Sequence, residues 1–168
     1  MLAALGSIAA QQAKGTEQIY ADTLWLLNYA ATHPDATIRY TASDMVLHIH
    51  SDASYLSEPR SRSRAGGHYF MCDIRPDMSK PPTTCPHLNG PIHSISCIVY
   101  NVMSAAYEAK IGATYINNQE AVLIRTLLLK LCHPQPATPI QVDNSTVDSF
   151  ANDTIKQKRL KTIDVRFY

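Results

Sequence analysis

Residues 45–52 read Met-Val-Leu-His-Ile-His-Ser-Asp, and this stretch decides the fold. Met45, Leu47 and Ile49 are separated by single residues, which is the period-two spacing of a β-strand. The strand is expected to run through Ser51 and to end near Asp52. It therefore predicts a sheet in which an aspartate lies at the C-terminal end of the first strand.

Two further strands are predicted after this one. A polar, arginine-bearing loop over residues 58–64 leads to a second strand at 68–72, and a third strand covers 92–100. The proline-rich stretch 73–91 predicts a connection, because proline lacks the N–H group that a sheet ladder needs.

A long helix is predicted over residues 104–132, where apolar side chains recur at helical spacing. Its buried face is expected to carry Ile111, Tyr115, Val122 and Leu129. A short strand at 139–142 ends on Asp143, and Asn144 is expected to cap a short helix that runs to about residue 152.

Residues 2–31 predict a helix that is interrupted near Lys14, with Thr16 as the cap of its second part. An apolar stripe is expected on that part, formed by Tyr20, Leu24, Leu27 and Ala31. The whole order is a helix followed by β-β-β-α-β-α. It predicts an α/β protein of the α+β kind with a mixed sheet, in which an antiparallel meander precedes a helical crossover to a further strand.

Composition excludes several classes of protein. The chain has 168 residues, 45% of them hydrophobic, and a formal net charge of +1, which excludes intrinsic disorder and a polyanion binder that relies on bulk charge. No run approaches the ~18 apolar residues of a membrane span, so no membrane partner is expected. Four unevenly spaced cysteines argue against a disulfide-stapled scaffold, and an intracellular location is expected.

Three carboxylates are candidates for chemistry. Asp52 and Asp143 follow two predicted strands, and Glu108 lies in the first turns of the long helix. Strand ends and a helix start can meet at one edge of a sheet, where clustered carboxylates bind hard cations such as Mg²⁺. The alternative is that the aspartates are strand-end or N-cap residues and that the glutamate is a solvated helix residue.

Two smaller groups of residues have ordinary explanations. The cysteines and histidines at 85, 87, 93 and 97 have a spacing that zinc sites, with their tighter pairs, seldom use. His48 and His50 are expected to be strand residues with satisfied hydrogen bonds rather than ligands or bases.

Several short motifs occur in a fixed order along the chain. Ile49–Tyr55 contains Ser-Asp-Ala, and Arg62–Gly67 is an Arg-Ser turn that ends in two glycines. Ser104–Lys110 begins with serine and ends in Glu-Ala-Lys, and Val142–Ser145 contains Asp-Asn. Together with the basic block Lys158–Arg166, these motifs resemble the ribonuclease H segment of copia-type retrotransposon polyproteins.

The resemblance implies a ribonuclease H-like domain over residues 42–168, preceded by a helical connector over 1–40 that ends the reverse transcriptase region. It implies hydrolysis of the RNA strand of an RNA–DNA hybrid, with Mg²⁺ or Mn²⁺ as cofactor. The implied catalytic residues, which are also the metal ligands, are Asp52, Glu108 and Asp143. The implied partners are the hybrid and the reverse transcriptase portion of the same polyprotein, in the cytoplasm, a virus-like particle or the nucleus.

Basic side chains in two segments are expected to contact the phosphates of the hybrid. They are Arg60, Arg62, Arg64, Lys156, Lys158, Arg159 and Lys161. A solvated basic loop and a solvated basic tail are the alternative explanation.

The chain departs from the family pattern in two respects. Lys110 stands where the family has the second glutamate of Glu-Ala-Glu, and its ammonium is expected to repel Mg²⁺ and to pair with Asp52 or Asp143. The motifs also stop before the family's last strand and helix, which are expected to be missing. We therefore expect an impaired nuclease and leave open whether the chain is an enzyme. The alternative is a non-catalytic nucleic-acid-binding or assembly module that keeps the fold.

Overall fold

The computed structural model describes residues 1–73 and 88–152 of the chain. The helices and strands in these ranges are α1 (Leu2–Gln11), α2 (Glu17–Thr32), β1 (Val46–Glu58), β2 (Arg62–Cys72), β3 (Pro91–Val99), α3 (Ala106–Lys130), β4 (Ile140–Gln141) and α4 (Ser145–Ala151). None of the helices in these ranges is long and apolar enough to cross a lipid bilayer.

The four strands form one mixed sheet in the order β3-β2-β1-β4. β2 pairs antiparallel with both β1 and β3, whereas β4 pairs parallel with β1. A parallel pair needs a crossover connection, and α3 is part of it. The predicted α+β class, with a meander followed by a helical crossover, is confirmed.

The sequence predicts two helix caps, and both are present. The Thr16 side chain accepts a hydrogen bond from the Ile19 N–H at 3.3 Å at the start of α2. The Asn144 side chain accepts from the N–H groups of Thr146 and Val147 at 2.9 and 3.3 Å at the start of α4. Each cap satisfies N–H groups that the first helical turn leaves without partners.

The first hairpin is longer than the sequence predicts. Residues 58–64 are expected to be a loop, but β1 and β2 both extend into this stretch and leave a turn of only 3 residues. Arg60 and Ser61 adopt positive φ angles of 63° and 54° there, a left-handed conformation that reverses the chain sharply. Asp52 therefore lies in the middle of β1 rather than at its end.

A buried polar network joins α3 to the sheet. The Tyr69 hydroxyl of β2 donates to the Asn117 Oδ1 of α3 at 2.7 Å. The Asn117 Nδ2 donates in turn to the Ser51 Oγ at 2.8 Å and to the Gly66 carbonyl oxygen at 3.0 Å. Tyr69 and Asn117 are both 0% exposed. Because a buried polar group without a partner is costly, these bonds fix the rotation of α3 against β1 and β2.

Gly67 permits this close approach. A Cβ atom at this position would lie 1.9 Å from the Asn117 Oδ1 and 2.8 Å from the Ile95 Cγ1. Both distances are far below van der Waals contact, so a side chain at position 67 would displace α3 from the sheet.

The buried face of α3 differs from the predicted one. Ile111 is buried, but Tyr115, Val122 and Leu129 are 44%, 61% and 61% exposed. The residues buried on this helix include five small or polar ones: Ala109, Gly112, Ala113, Asn117 and Ala121. The prediction was wrong because helical periodicity weighs hydrophobicity, whereas a helix that packs closely on a sheet needs small side chains. The stripe expected on α2 lies on a helix that the structure forms, but its residues are exposed, since no residue of α2 is buried.

We expect Asn117→Ala to lower the free energy of unfolding by about 2–4 kcal/mol, because it removes the 2.7 Å hydrogen bond from the Tyr69 hydroxyl and both hydrogen bonds that the Asn117 Nδ2 donates, and it opens a cavity. Urea denaturation followed by circular dichroism measures the change. Asn118→Ala is the matched control, since Asn118 is exposed on the same helix, and it should change stability by less than about 0.5 kcal/mol. Equal losses in the two variants would contradict the role assigned to the network.

Candidate functional site

Two aspartates lie near the place where β4 pairs with β1: Asp52 is in β1, and Asp143 follows the end of β4 by two residues. β1 and β4 pair in a register that ends with His50 opposite Gln141. If the same offset is counted on for two residues in each of the two segments, Asp52 corresponds to Asp143. Neighbouring strands are only about 5 Å apart, so two carboxylates in these positions repel each other unless a cation lies between them.

Lys110 supplies that cation. Its Nζ donates a hydrogen bond to the Asp143 Oδ1 and lies 3.5 Å from the Asp52 Oδ1. Only 18% of the lysine side chain is exposed, against 73% and 64% for the two aspartates. We call these three residues the ion-pair cluster. The expected pairing of Lys110 with one of the two aspartates is made with both at once.

Glu108 has its contacts elsewhere. It is buried, and its Oε2 accepts hydrogen bonds from the Ser104 N–H at 2.9 Å and from the Ser104 hydroxyl at 2.7 Å. This carboxylate stabilises the start of α3, where Ala105 offers no side-chain cap. Side chains two residues apart on a helix point about 200° apart. Glu108 and Lys110 therefore face different sides of α3 and contact different residues.

The arrangement does not fit the divalent-metal centre that the resemblance implies. A hard cation needs several free oxygen ligands, but the Lys110 ammonium already bridges the two aspartates and Glu108 holds the helix start. Within residues 1–73 and 88–152, no group of three histidine, cysteine, aspartate or glutamate side chains is placed to hold a metal ion. The three carboxylates are therefore divided between an ion pair and a helix cap.

The hydrogen bond between Lys110 and Asp143 shifts the titration of both groups. It raises the pKa of Lys110 and lowers the pKa of Asp143, and the opposite charge of the partner adds to each shift while desolvation opposes it. Both groups therefore keep their charges over a wider pH range than they would alone.

Arg64, one of the predicted phosphate contacts, is buried. Its Nε forms an ion pair with the Glu58 Oε1 at 2.6 Å, and its terminal nitrogens donate to the hydroxyls of Ser96 and Ser7 at 3.2 and 3.1 Å. Ser7 belongs to α1, so this guanidinium also links the first helix of the predicted connector to the sheet. Its charge is neutralised inside the protein.

Arg60 and Arg62 have more open surroundings. Arg60 is exposed in the hairpin turn, and the Arg62 guanidinium lies 5.5 Å from the centre of the Tyr100 ring. The remaining predicted contacts lie outside the described residues: Lys156, Lys158, Arg159 and Lys161. Of the described basic candidates, these two arginines are the ones placed to meet a phosphate from solvent.

Tyr100 is a residue that the sequence analysis missed. β2 and β3 pair with Ser63 opposite Val99, and the next antiparallel pair in that register is Arg62 with Tyr100. The register of two strands is not visible in the spacing of either strand alone. The sequence predicted Tyr100 as the last residue of the third strand, and an aromatic residue at a strand end was the only available signal.

The two strand histidines pack against aromatic rings of the neighbouring strand. His48 and His50 lie 5.7 and 5.2 Å from Phe70 between ring centres, and burial, followed by the nearby His68, lowers the pKa of His50. Within the described part of the chain the Nε2 atom of His50 has no hydrogen-bond partner, but a hydrogen bond with the Gln141 side chain partly offsets the lowering of the His50 pKa. For the alternative zinc group, the residues at positions 85 and 87 lie outside the described residues.

Comparison with known proteins gives no relative: no protein-family model, curated protein or solved structure matches this chain. The class of protein is therefore defined by the fold and the site themselves. It is a mixed α+β domain in which an ion-pair cluster joins the second turn of α3 to β1 and to the segment that follows β4.

We expect Lys110→Met to raise the pKa of Asp143 toward its ordinary value of 3.8, because the substitution removes the hydrogen bond that lowers it. A ¹³C NMR titration of the aspartate carboxyls measures the shift. The ion pair stabilises the native protein above the unfolded-state pKa of Asp143, and this contribution disappears as the pH falls through the lowered pKa. Lys130→Met, at the exposed end of α3, is the control and should leave the Asp143 titration unchanged.

Proposed function

We propose that this chain is a ribonuclease H-like domain of retrotransposon origin that binds RNA–DNA hybrids without hydrolysing them. Its partners are the hybrid and the reverse transcriptase portion of the same polyprotein, inside the cell. The proposal combines the motif resemblance with the geometry of the ion-pair cluster.

The sheet supports the fold part of this proposal. A three-stranded antiparallel meander, followed by a helix and a fourth strand parallel to β1, is the order that the motif resemblance requires. The Ser-Asp-Ala and Asp-Asn motifs are far apart in the chain, yet Asp52 and Asp143 both contact Lys110. This proximity is what the resemblance leads us to expect, and it supports the proposal.

The position of Lys110 carries the functional part of the proposal. Two-metal hydrolysis requires two cations about 4 Å apart, held by carboxylates that are free to coordinate them. In this chain an ammonium bridges those carboxylates. It supplies positive charge but offers neither a Lewis acid nor a bound water of lowered pKa, so it does not activate water for hydrolysis. Binding of the hybrid does not depend on that step.

Two features favour retained binding. Arg60 and Arg62 are not neutralised by a carboxylate within the described ranges and lie at one end of the sheet. The A-like shape of a hybrid is recognised mainly through backbone phosphates and 2′-hydroxyl groups, and such contacts require no metal. The near-neutral net charge of +1 makes this binding local rather than a property of the whole surface.

We expect the native chain to keep its binding of a labelled RNA–DNA hybrid when EDTA removes Mg²⁺, and to bind more weakly as salt rises. Fluorescence anisotropy measures the binding, and denaturing gels of the same samples should show intact RNA. Asp52→Asn should leave the gels unchanged. Mg²⁺-dependent cleavage that is lost in Asp52→Asn would establish a nuclease instead, and absence of hybrid binding would contradict the binding function.

We expect Lys110→Glu to create Mn²⁺ binding that the native chain lacks, because a third carboxylate then lies beside Asp52 and Asp143 and no ammonium repels the ion. Electron paramagnetic resonance of free Mn²⁺ measures the bound fraction.

Lys130→Glu is the matched control, since it makes the same charge change at the exposed end of the same helix, and it should bind no more Mn²⁺ than the native chain. Equal Mn²⁺ binding by the native chain and by Lys110→Glu would contradict the role given to the lysine.

A further inference from the structure

Arg62 and Tyr100 border a groove that the ion-pair cluster does not use. The groove has a volume of about 330 Å³ and is lined by Gly6, Arg62, Arg64, Ser96, Ile98 and Tyr100, among others. Its walls therefore come from α1, from the start of β2 and from the end of β3. The volume is that of a small organic group rather than of a folded partner.

The charge in this groove belongs to Arg62. The neighbouring Arg64 is paired with Glu58 at 2.6 Å and contributes no net charge. Arg62 pairs with Glu58 through the strand backbones, but the Glu58 carboxylate binds Arg64. Within residues 1–73 and 88–152, the Arg62 guanidinium has no carboxylate at ion-pair distance, and it lies over the Tyr100 ring. A planar guanidinium with free donors is suited to the oxygens of a phosphate group.

Tyr100 offers an aromatic surface beside this charge. It is 84% exposed, which is unusual for a large ring that has a neighbour to pack on, and Arg62 covers only one of its faces. A nucleobase of any sequence can stack on a free aromatic face, because every base has a π-face. A stacking face and an unpaired guanidinium side by side match the two chemical parts of a nucleotide.

We propose that the Arg62–Tyr100 groove binds an unpaired nucleotide, with its base stacked on the free face of Tyr100 and its phosphate on Arg62. The inference rests on the proposed function for the identity of the ligand, and it adds that the chain holds a single-stranded segment next to the hybrid. A fully paired hybrid offers no base to this ring, because its bases are stacked within the duplex.

The test compares a blunt RNA–DNA hybrid with the same hybrid carrying a short single-stranded overhang, using the full chain and fluorescence anisotropy. The overhang should strengthen binding of the native chain about tenfold, as one stacked base does. Tyr100→Ala should abolish this gain and leave the blunt hybrid unaffected, while Tyr100→Phe should keep it because the ring remains.

A further variant, Arg62→Ala, tests the phosphate contact, and the two variants Arg39→Ala and Tyr20→Ala control for general effects of charge loss and ring loss. Arg62→Ala should weaken binding of the overhang and make log K less dependent on log salt by about 0.7. Arg39→Ala removes the same charge from another exposed residue, and Tyr20→Ala removes a ring that is 68% exposed on α2. Both should bind like the native chain, and circular dichroism should show that all variants are folded.

A second measurement distinguishes failure of this inference from failure of the proposed function. An isolated oligonucleotide of five residues should shift the Tyr100 ring resonances in proton NMR. If this shift occurs but the blunt hybrid does not bind, the groove is supported and hybrid binding is contradicted. If the blunt hybrid binds while the overhang gives no gain and the ring does not shift, the groove is contradicted and the proposed function remains.

Discussion

The structure depends on the contact between Asn117 and the backbone of β2. The amide group lies where a side chain at position 67 would be, and its hydrogen bonds to Ser51 and Gly66 fix both the distance and the rotation of α3. Lys110 lies seven residues earlier on the same helix, close to two full turns, so it faces nearly the same direction. The bond that seats the helix therefore also directs the ammonium to the two aspartates.

The same rotation explains the separation of Glu108 from the aspartates. A helix seated by Asn117 can direct either position 108 or position 110 to the strand pair, but not both. In this chain the lysine takes that position, and the glutamate stabilises the start of the helix through Ser104. The position of Asn117 in the middle of α3 therefore determines that Glu108 stabilises the helix start and that Lys110 faces the candidate site.

Much of the architecture could be predicted from the sequence, because strand spacing and capping residues are local signals. Thr16 and Asn144 begin their helices as predicted, and the mixed sheet follows from the element order. The buried face of α3 could not be predicted, since its contacts are set by how closely small residues such as Gly112 approach the sheet. At the candidate site, the pairing of Lys110 with an aspartate was predictable from charge alone. Its contact with both aspartates depends on the register of β1 and β4, which no single segment reveals, and the same is true of Arg62 beside Tyr100.

The contact of Asp52 and Asp143 with the same lysine has a consequence for how this chain can change over time. Loss of Lys110 alone leaves two adjacent negative charges, and loss of one aspartate alone leaves the ammonium with a single partner. Substitutions at these three positions are therefore not independent of one another. A variant with an acidic residue at position 110 would need no other change in the described part of the chain to bring three carboxylates together. A variant that has lost either aspartate could not do so by that single change.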